Sequence, residues 1–177
     1  TSTVTESLQD VFDDRKVIHI SYGATAAPLT QKGHRYFFRT CPQNVEQAKA
    51  AVKIIRKMKV KKVALLHDDS LYGKDLADVM RSRLYNWMID IVYDGSMKAG
   101  EPDYLPLVEK MKAAEPELVF FTGYYPEAAR LLLARDRLNW NVPFMGGDGA
   151  NNSDLVKIAG EKASAGFSFI SPPAPED

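Results

Sequence analysis

Four short segments of this sequence set hydroxyls or an acid beside small residues: Ser21-Tyr22-Gly23-Ala24-Thr25, His67 to Gly73, Thr122-Gly123-Tyr124-Tyr125-Pro126 and Gly146-Gly147-Asp148-Gly149. A fifth, Asp94-Gly95-Ser96, is similar and less distinctive. Small residues let a backbone approach a ligand closely, while hydroxyls and a carboxylate orient it. Asp148 is the sharpest of these. Glycines at 146, 147 and 149 keep side chains out of its way, and its loop holds no lysine or arginine. A carboxylate that loses water in a closing cleft needs a cation, and a ligand ammonium fits that need. The competing reading makes Asp148 an Asx-turn, a common loop device. Each of the other segments has a plain reading too: glycine loops are ordinary turn chemistry, and Tyr72 and Tyr124 suit helix starts packing on their own lobe. Four such loops on one edge of one sheet point to a cleft.

Enzyme signatures are missing. The chain has no G-x-G-x-x-G, no phosphate loop, no G-x-S-x-G elbow, and no tyrosine followed four residues later by lysine. His19, His34 and His67 are scattered. His19 falls inside an apolar run and reads as structural. His67 stands beside Asp68-Asp69, where a metal or a base is conceivable, but a polar strand end bonded to backbone is the better reading. Asn151-Asn152-Ser153 matches a glycosylation sequon and also a helix N-cap at Ser153; the cap is preferred. Cys41 is the sole cysteine, so there is neither an internal disulfide nor a cysteine-based zinc pattern.

Lysine plus arginine equals aspartate plus glutamate, 23 each. That balance gives no global pull toward nucleic acid or an anionic membrane. The basic cluster Lys57 to Lys62 reads as a solvated helix end and turn. No run of residues is long and apolar enough for a membrane helix. With 177 residues and 45% hydrophobic content, the chain can build one core, or one core and part of another.

The elements that must position the loops follow from periodicity. Apolar runs at 17–20, 63–66, 91–93, 118–121, 142–145 and 167–170 read as strands buried on both faces. Between them lie helical spacings: Ala48, Ala51, Val52, Ile55 and Met58; Leu76, Val79, Met80, Leu84 and Trp87; Tyr104, Leu107, Val108 and Met111; Ala128, Leu131, Leu132 and Leu138. From Val63 on, strands recur about once per βα unit, which indicates a doubly wound α/β lobe. Residues 1–40 read as helix (about 4–14), strand, loop and strand (36–39), a piece of another sheet. The expected division is a first-lobe fragment at 1–40, a second α/β lobe at 41–171, and the start of a crossover back at 172–177.

Ser21 to Thr30, then Arg39-Thr40, then His67-Asp68-Asp69-Ser70-Leu71-Tyr72-Gly73 resembles the leucine/isoleucine/valine-binding protein family, type I periplasmic solute receptors of amino-acid ABC importers. Gly123 to Glu127, Phe144 to Gly149, Ile158-Ala159-Gly160 and Ala165-Gly166 continue the resemblance in order. It implies a two-lobed fold with one lobe nearly intact and the other cut short. It also implies roles. Ser2, at a helix start, together with Gly23, Ala24 and Thr25, would hold a ligand's α-carboxylate. Tyr72 and Tyr124 would approach from the other lobe, and Asp148 would pair with the α-ammonium. The family commonly has glutamate at this last position, one methylene longer, so a water can bridge. Cys41 does not match the family's first-lobe disulfide.

The expectation is therefore a binder and not an enzyme, capturing a small aliphatic amino acid in an interlobe cleft and delivering it to a membrane permease. It needs no cofactor and no metal, contacts no nucleic acid, and is periplasmic or extracellular, free or lipid-anchored. A ligand-sensing domain of a receptor or regulator is the alternative with the same fold; a hydrolase using Asp148 or His67 ranks last. Leu8, Val11 and Phe12, with strand 17–20, should lack neighbours and favour self-association of this chain.

Overall fold

The computed structural model describes residues 1–172. The crossover expected at 172–177 therefore lies, from residue 173 on, outside the described residues. In chain order the elements are α1 (Ser2–Asp14), β1 (His19–Ser21), β2 (Phe37–Arg39), α2 (Asn44–Lys57), β3 (Lys62–Asp68), α3 (Leu71–Asn86), β4 (Asp90–Met97), α4 (Leu105–Ala113), β5 (Leu118–Thr122), α5 (Tyr125–Arg137), β6 (Phe144–Gly146), α6 (Asp154–Ser164) and β7 (Ser168–Phe169). Short 3-10 turns occupy Ala27–Thr30 and Asp148–Ala150.

Two separate sheets form, both parallel. β1 and β2 pair with each other, and the other five strands run in the order β4-β3-β5-β6-β7. The buried strands alternate their side chains between two helical layers. Val63, Leu65, Leu118 and Phe120 pack with α2 and α3 residues such as Ile55, Leu76 and Met80. Ala64, Leu66, Val119 and Phe121 pack with Val108, Leu131, Leu132 and Leu155 on α4, α5 and α6. Both faces of the sheet are thus covered, which is why these strands read as continuous apolar runs. The strand order reverses at β3, whose neighbours β4 and β5 lead away on opposite sides. In such sheets the crevice between the carboxyl ends of the two central strands is where ligands bind.

Several boundaries differ from expectation. β3 extends through His67 and Asp68, so His67 is in a strand rather than after it. β4 runs to Met97 and absorbs Asp94-Gly95-Ser96, so that segment is not a loop. It reads polar because β4 is an edge strand, where Asp94 faces solvent and pairs with Arg81. β6 begins at Phe144 and β1 at His19, leaving Val17 and Ile18 outside. Met58, Trp87 and Leu138 fall on C-cap positions, and Met58 and Trp87 are exposed there. The cap of α6 also differs. The Ser153 side chain makes no capping bond, and the carboxamide of Asn152 instead accepts the Asp154 N–H at 2.8 Å.

The two-stranded sheet has a thin core of Ala24, Ala26, Leu29 and Phe37. His19 stacks on Phe12 and meets Phe37 edge-on, the structural role its place in an apolar run suggests. Outside this core, Val4, Leu8, Val11, Ile18, Ile20 and Phe38 stand 41–63% exposed.

Candidate functional site

α3 begins where it does because Ser70 caps it, accepting the Gly73 N–H at 3.0 Å. The buried Asp68 carboxylate holds Ser70 in turn, accepting its N–H at 3.1 Å and its hydroxyl. Thr122 at the end of β5 donates its hydroxyl to the Gly73 carbonyl at 2.8 Å. Gly73 is required by this close approach: a Cβ there would land on the Asp68 carboxylate and 2.6 Å from the Thr122 carbonyl. The first turn of α3 is thereby pressed onto the ends of β3 and β5, and Tyr72 is delivered to the crevice. Tyr124, the N-cap of α5, arrives from the other side of the same crevice, and the two rings lie 5.3 Å apart. Burial pushes the Tyr124 hydroxyl up to about 12 and drives that of Tyr72 well above its ordinary range. Both therefore act as neutral hydrogen-bonding groups.

The loop after β6 closes over Tyr72. The Gly149 N–H donates to the Tyr72 hydroxyl at 3.1 Å, and the Asp148 N–H donates to the Gln47 side-chain carbonyl at 3.0 Å. Gly147 must be small, since a Cβ there would strike the Tyr72 hydroxyl and come within 2.7 Å of Leu76. Burial pushes the Asp148 carboxyl above the usual carboxylate range, and the Tyr72 hydroxyl and Gln47 amide beside it offset only part of that effect. Among the described residues no cation forms an ion pair with Asp148.

From the two-stranded sheet, the loop 22–27 faces this acid. Its bonds are pinned in an alternating way. The Ala24 N–H donates to the Ser21 hydroxyl, that of Ala26 to the Ser2 hydroxyl, and that of Ala27 to the Asp75 carboxylate, at 3.1, 3.2 and 3.1 Å. Arg39 donates to the carbonyls of Ala24 and Ala26, and the Asn44 N–H to that of Thr25. The N–H groups of Gly23 and Thr25 have no acceptor among the described residues. Two free donors on one short loop suit a carboxylate.

A recess of about 170 Å³ lies between these parts, lined by Thr1, Ser2, Gly23, Tyr72, Tyr124, Asp148 and Gly149. Five of the seven residues singled out from the sequence thus converge. Ala24 and Thr25 do not line it. The Ala24 N–H is spent on Ser21, and the residue faces an adjoining groove beside β1; Thr25 is 2% exposed, behind Gly23. Ser2 is 1% exposed and its oxygen already serves Ala26, leaving only its hydroxyl proton to offer. His67 bonds the Asp68 backbone carbonyl through Nδ1 at 2.7 Å, and no metal-holding cluster occurs among the described residues. Sequence reasoning missed Thr1, Asn44 and Gln47, and took Gly149 only as a small neighbour of Asp148. Asn44 and Gln47 carried a signal: they are polar residues three apart on the helix face that continues as Ala48, Ala51, Val52 and Ile55.

The model of the family described as periplasmic binding protein matches residues 1–177. The Leu/Ile/Val-binding protein of Citrobacter freundii is 33% identical over 163 residues, 92% of this chain and 44% of that protein. The leucine-, isoleucine-, valine-, threonine- and alanine-binding protein of Pseudomonas aeruginosa is 33% identical over 167 residues, 94% of this chain and 44% of that protein. The chain thus spans a little under half the length of the curated relatives it matches. Among solved structures, a leucine-binding protein from Thermotoga maritima superimposes with a TM-score of 0.89 at 23% identity, over 97% of this chain and 49% of that one. A branched-chain amino acid ABC transporter protein from Thermus thermophilus with bound valine gives 0.86 at 22% identity, over 100% and 47%. These two share the fold.

Proposed function

Since the chain belongs to the periplasmic binding protein family, we propose that it is a little under half of the solute-binding component of an ABC importer, one that takes a small amino acid, branched-chain or a related aliphatic, between two lobes. Residues 1–40 are then a first-lobe fragment and 41–171 the second lobe. The observation that carries the reading is charge placement across the recess. An acid with no protein cation lines the same recess as Gly23, whose N–H is free, and the second free N–H, that of Thr25, is on the same loop; a zwitterion needs opposite partners of this kind at its two ends. Tyr72 and Tyr124 form the wall between. Gly23 and Thr25, with Ser2, take the carboxylate, and Ala24 shapes their loop. Asp148 takes the ammonium.

Nothing in this arrangement sets a nucleophile beside a base, so the activity is capture and release, with closure between lobes. The protein acts outside the cytoplasmic membrane, free or lipid-anchored, and hands its ligand to a permease. Calorimetry on the full-length protein against the amino-acid set tests this. Binding of an aliphatic amino acid at micromolar affinity or better, about −8 kcal/mol, is expected. Absence of binding across the whole set would overturn it.

A further inference from the structure

Two amides sit on the core face of the first turn of α2, where the pattern calls for apolar residues. Asn44 is 0% and Gln47 4% exposed. Burying carboxamides is costly unless every group finds a partner, and here the partners form a line from the loop of the two-stranded sheet to the loop after β6. The Asp75 carboxylate on α3 accepts the Ala27 N–H of the first-sheet loop at 3.1 Å and the Asn44 side-chain amide at 2.7 Å. The Asn44 carbonyl oxygen accepts from the Gln47 amide at 3.2 Å. The Gln47 carbonyl oxygen accepts the Asp148 N–H at 3.0 Å, and its amide also faces the Asp148 carboxylate.

The ends of this line fix its direction. A carboxylate only accepts and a backbone N–H only donates. Asp75 therefore turns the Asn44 amide toward itself and the Asn44 oxygen toward Gln47. That oxygen turns the Gln47 amide toward Asn44, which leaves the Gln47 oxygen for Asp148. The donor-only N–H of Asp148 demands the same orientation. Neither carboxamide can flip without breaking a bond at each end.

Resting on the solute-binding reading above, we propose that Asn44 and Gln47 are positioning residues that couple Asp75, the seat of the first-lobe loop, to the ammonium site at Asp148. Asp75 fixes the Asn44 and Gln47 orientations, and the Gln47 oxygen then holds the Asp148 N–H, which sets the loop that carries the acid.

The test uses the full-length protein with Asp75→Asn, the near-isosteric Gln47→Met, and the double variant. Calorimetry with leucine should show each single change weakening binding by roughly tenfold, the scale of one lost buried hydrogen bond, with the double no weaker than the worse single. In the ligand-free protein, the Asp148 amide resonance should move with Asp75→Asn, and should not move with it once Gln47→Met is present. A purely structural role would give additive losses and an Asp148 resonance blind to Asp75; either result overturns the coupling. The resonance arm needs no ligand and Asp75 is partly exposed. A failure of the wild type to bind amino acids would therefore count against the solute reading while the coupling is judged on its own.

Discussion

Replacing Asp148 with asparagine in the full-length protein keeps the shape of the side chain and removes its charge. The Asp148 backbone N–H still reaches Gln47 and the Gly149 N–H still reaches Tyr72, so the loop keeps its two anchors. What is lost is a charge-assisted hydrogen bond to the ligand ammonium, worth about 1.5–3 kcal/mol, or roughly 10- to 150-fold in Kd. Stability should move the other way. Burial raises the Asp148 carboxyl above its unfolded value, so its ionised form opposes folding at neutral pH. That cost is fully present above the folded pKa and disappears as pH falls below the unfolded one. The variant should therefore melt no lower than wild type at pH 7. Calorimetry with leucine and with its deaminated analogue, paired with a thermal melt, separates the terms: leucine should weaken strongly and the analogue little. Unchanged affinity together with a lower melting temperature would refute the reasoning and make the carboxylate a loop cap.

Leucine affinity should fall on acidification at a pH above the ordinary aspartate value of about 3.9, because the raised Asp148 carboxyl protonates early and only its ionised form holds an ammonium; pH-resolved calorimetry should show this loss, and Asp148→Asn should abolish it. Gly73→Ala should lower stability by about 1–3 kcal/mol, since its Cβ meets the Asp68 carboxylate and the Thr122 carbonyl; a melting temperature equal to wild type would mean the helix start is free to shift. The 177-residue chain should self-associate through Leu8, Val11, Ile20 and Phe38, and light scattering should show Ile20→Lys moving it toward monomer; a clean monomer at high concentration without the substitution contradicts this.

The doubly wound lobe was legible because strands buried on both faces leave unbroken apolar runs, and β3 and β5 are of that kind. An edge strand leaves a weaker trace: β4 shows its apolar run at 91–93, but Asp94 and Ser96 are exposed and Gly95 only partly buried, so its second half reads as a loop. The acid and both tyrosines were legible because each follows a strand end beside glycine. Ala24 and Thr25 share the loop but do not line the recess, since a sequence shows which residues share a loop but not which of them the loop turns inward or which N–H groups it spends internally. Asn44 and Gln47 went unseen for a related reason. Their partners Asp75, Ala27 and Asp148 are distant in the chain, and only the fold brings them together.

The most direct test of the central claim is a structure of the full-length protein with its tightest-binding amino acid. The α-ammonium should lie about 2.7–2.9 Å from the Asp148 carboxylate, the usual span of a charged pair, or one bridging water away. The α-carboxylate should sit on the N–H groups of Gly23 and Thr25. A ligand whose ammonium meets some other acid, with Asp148 turned back onto its own loop, would contradict the account.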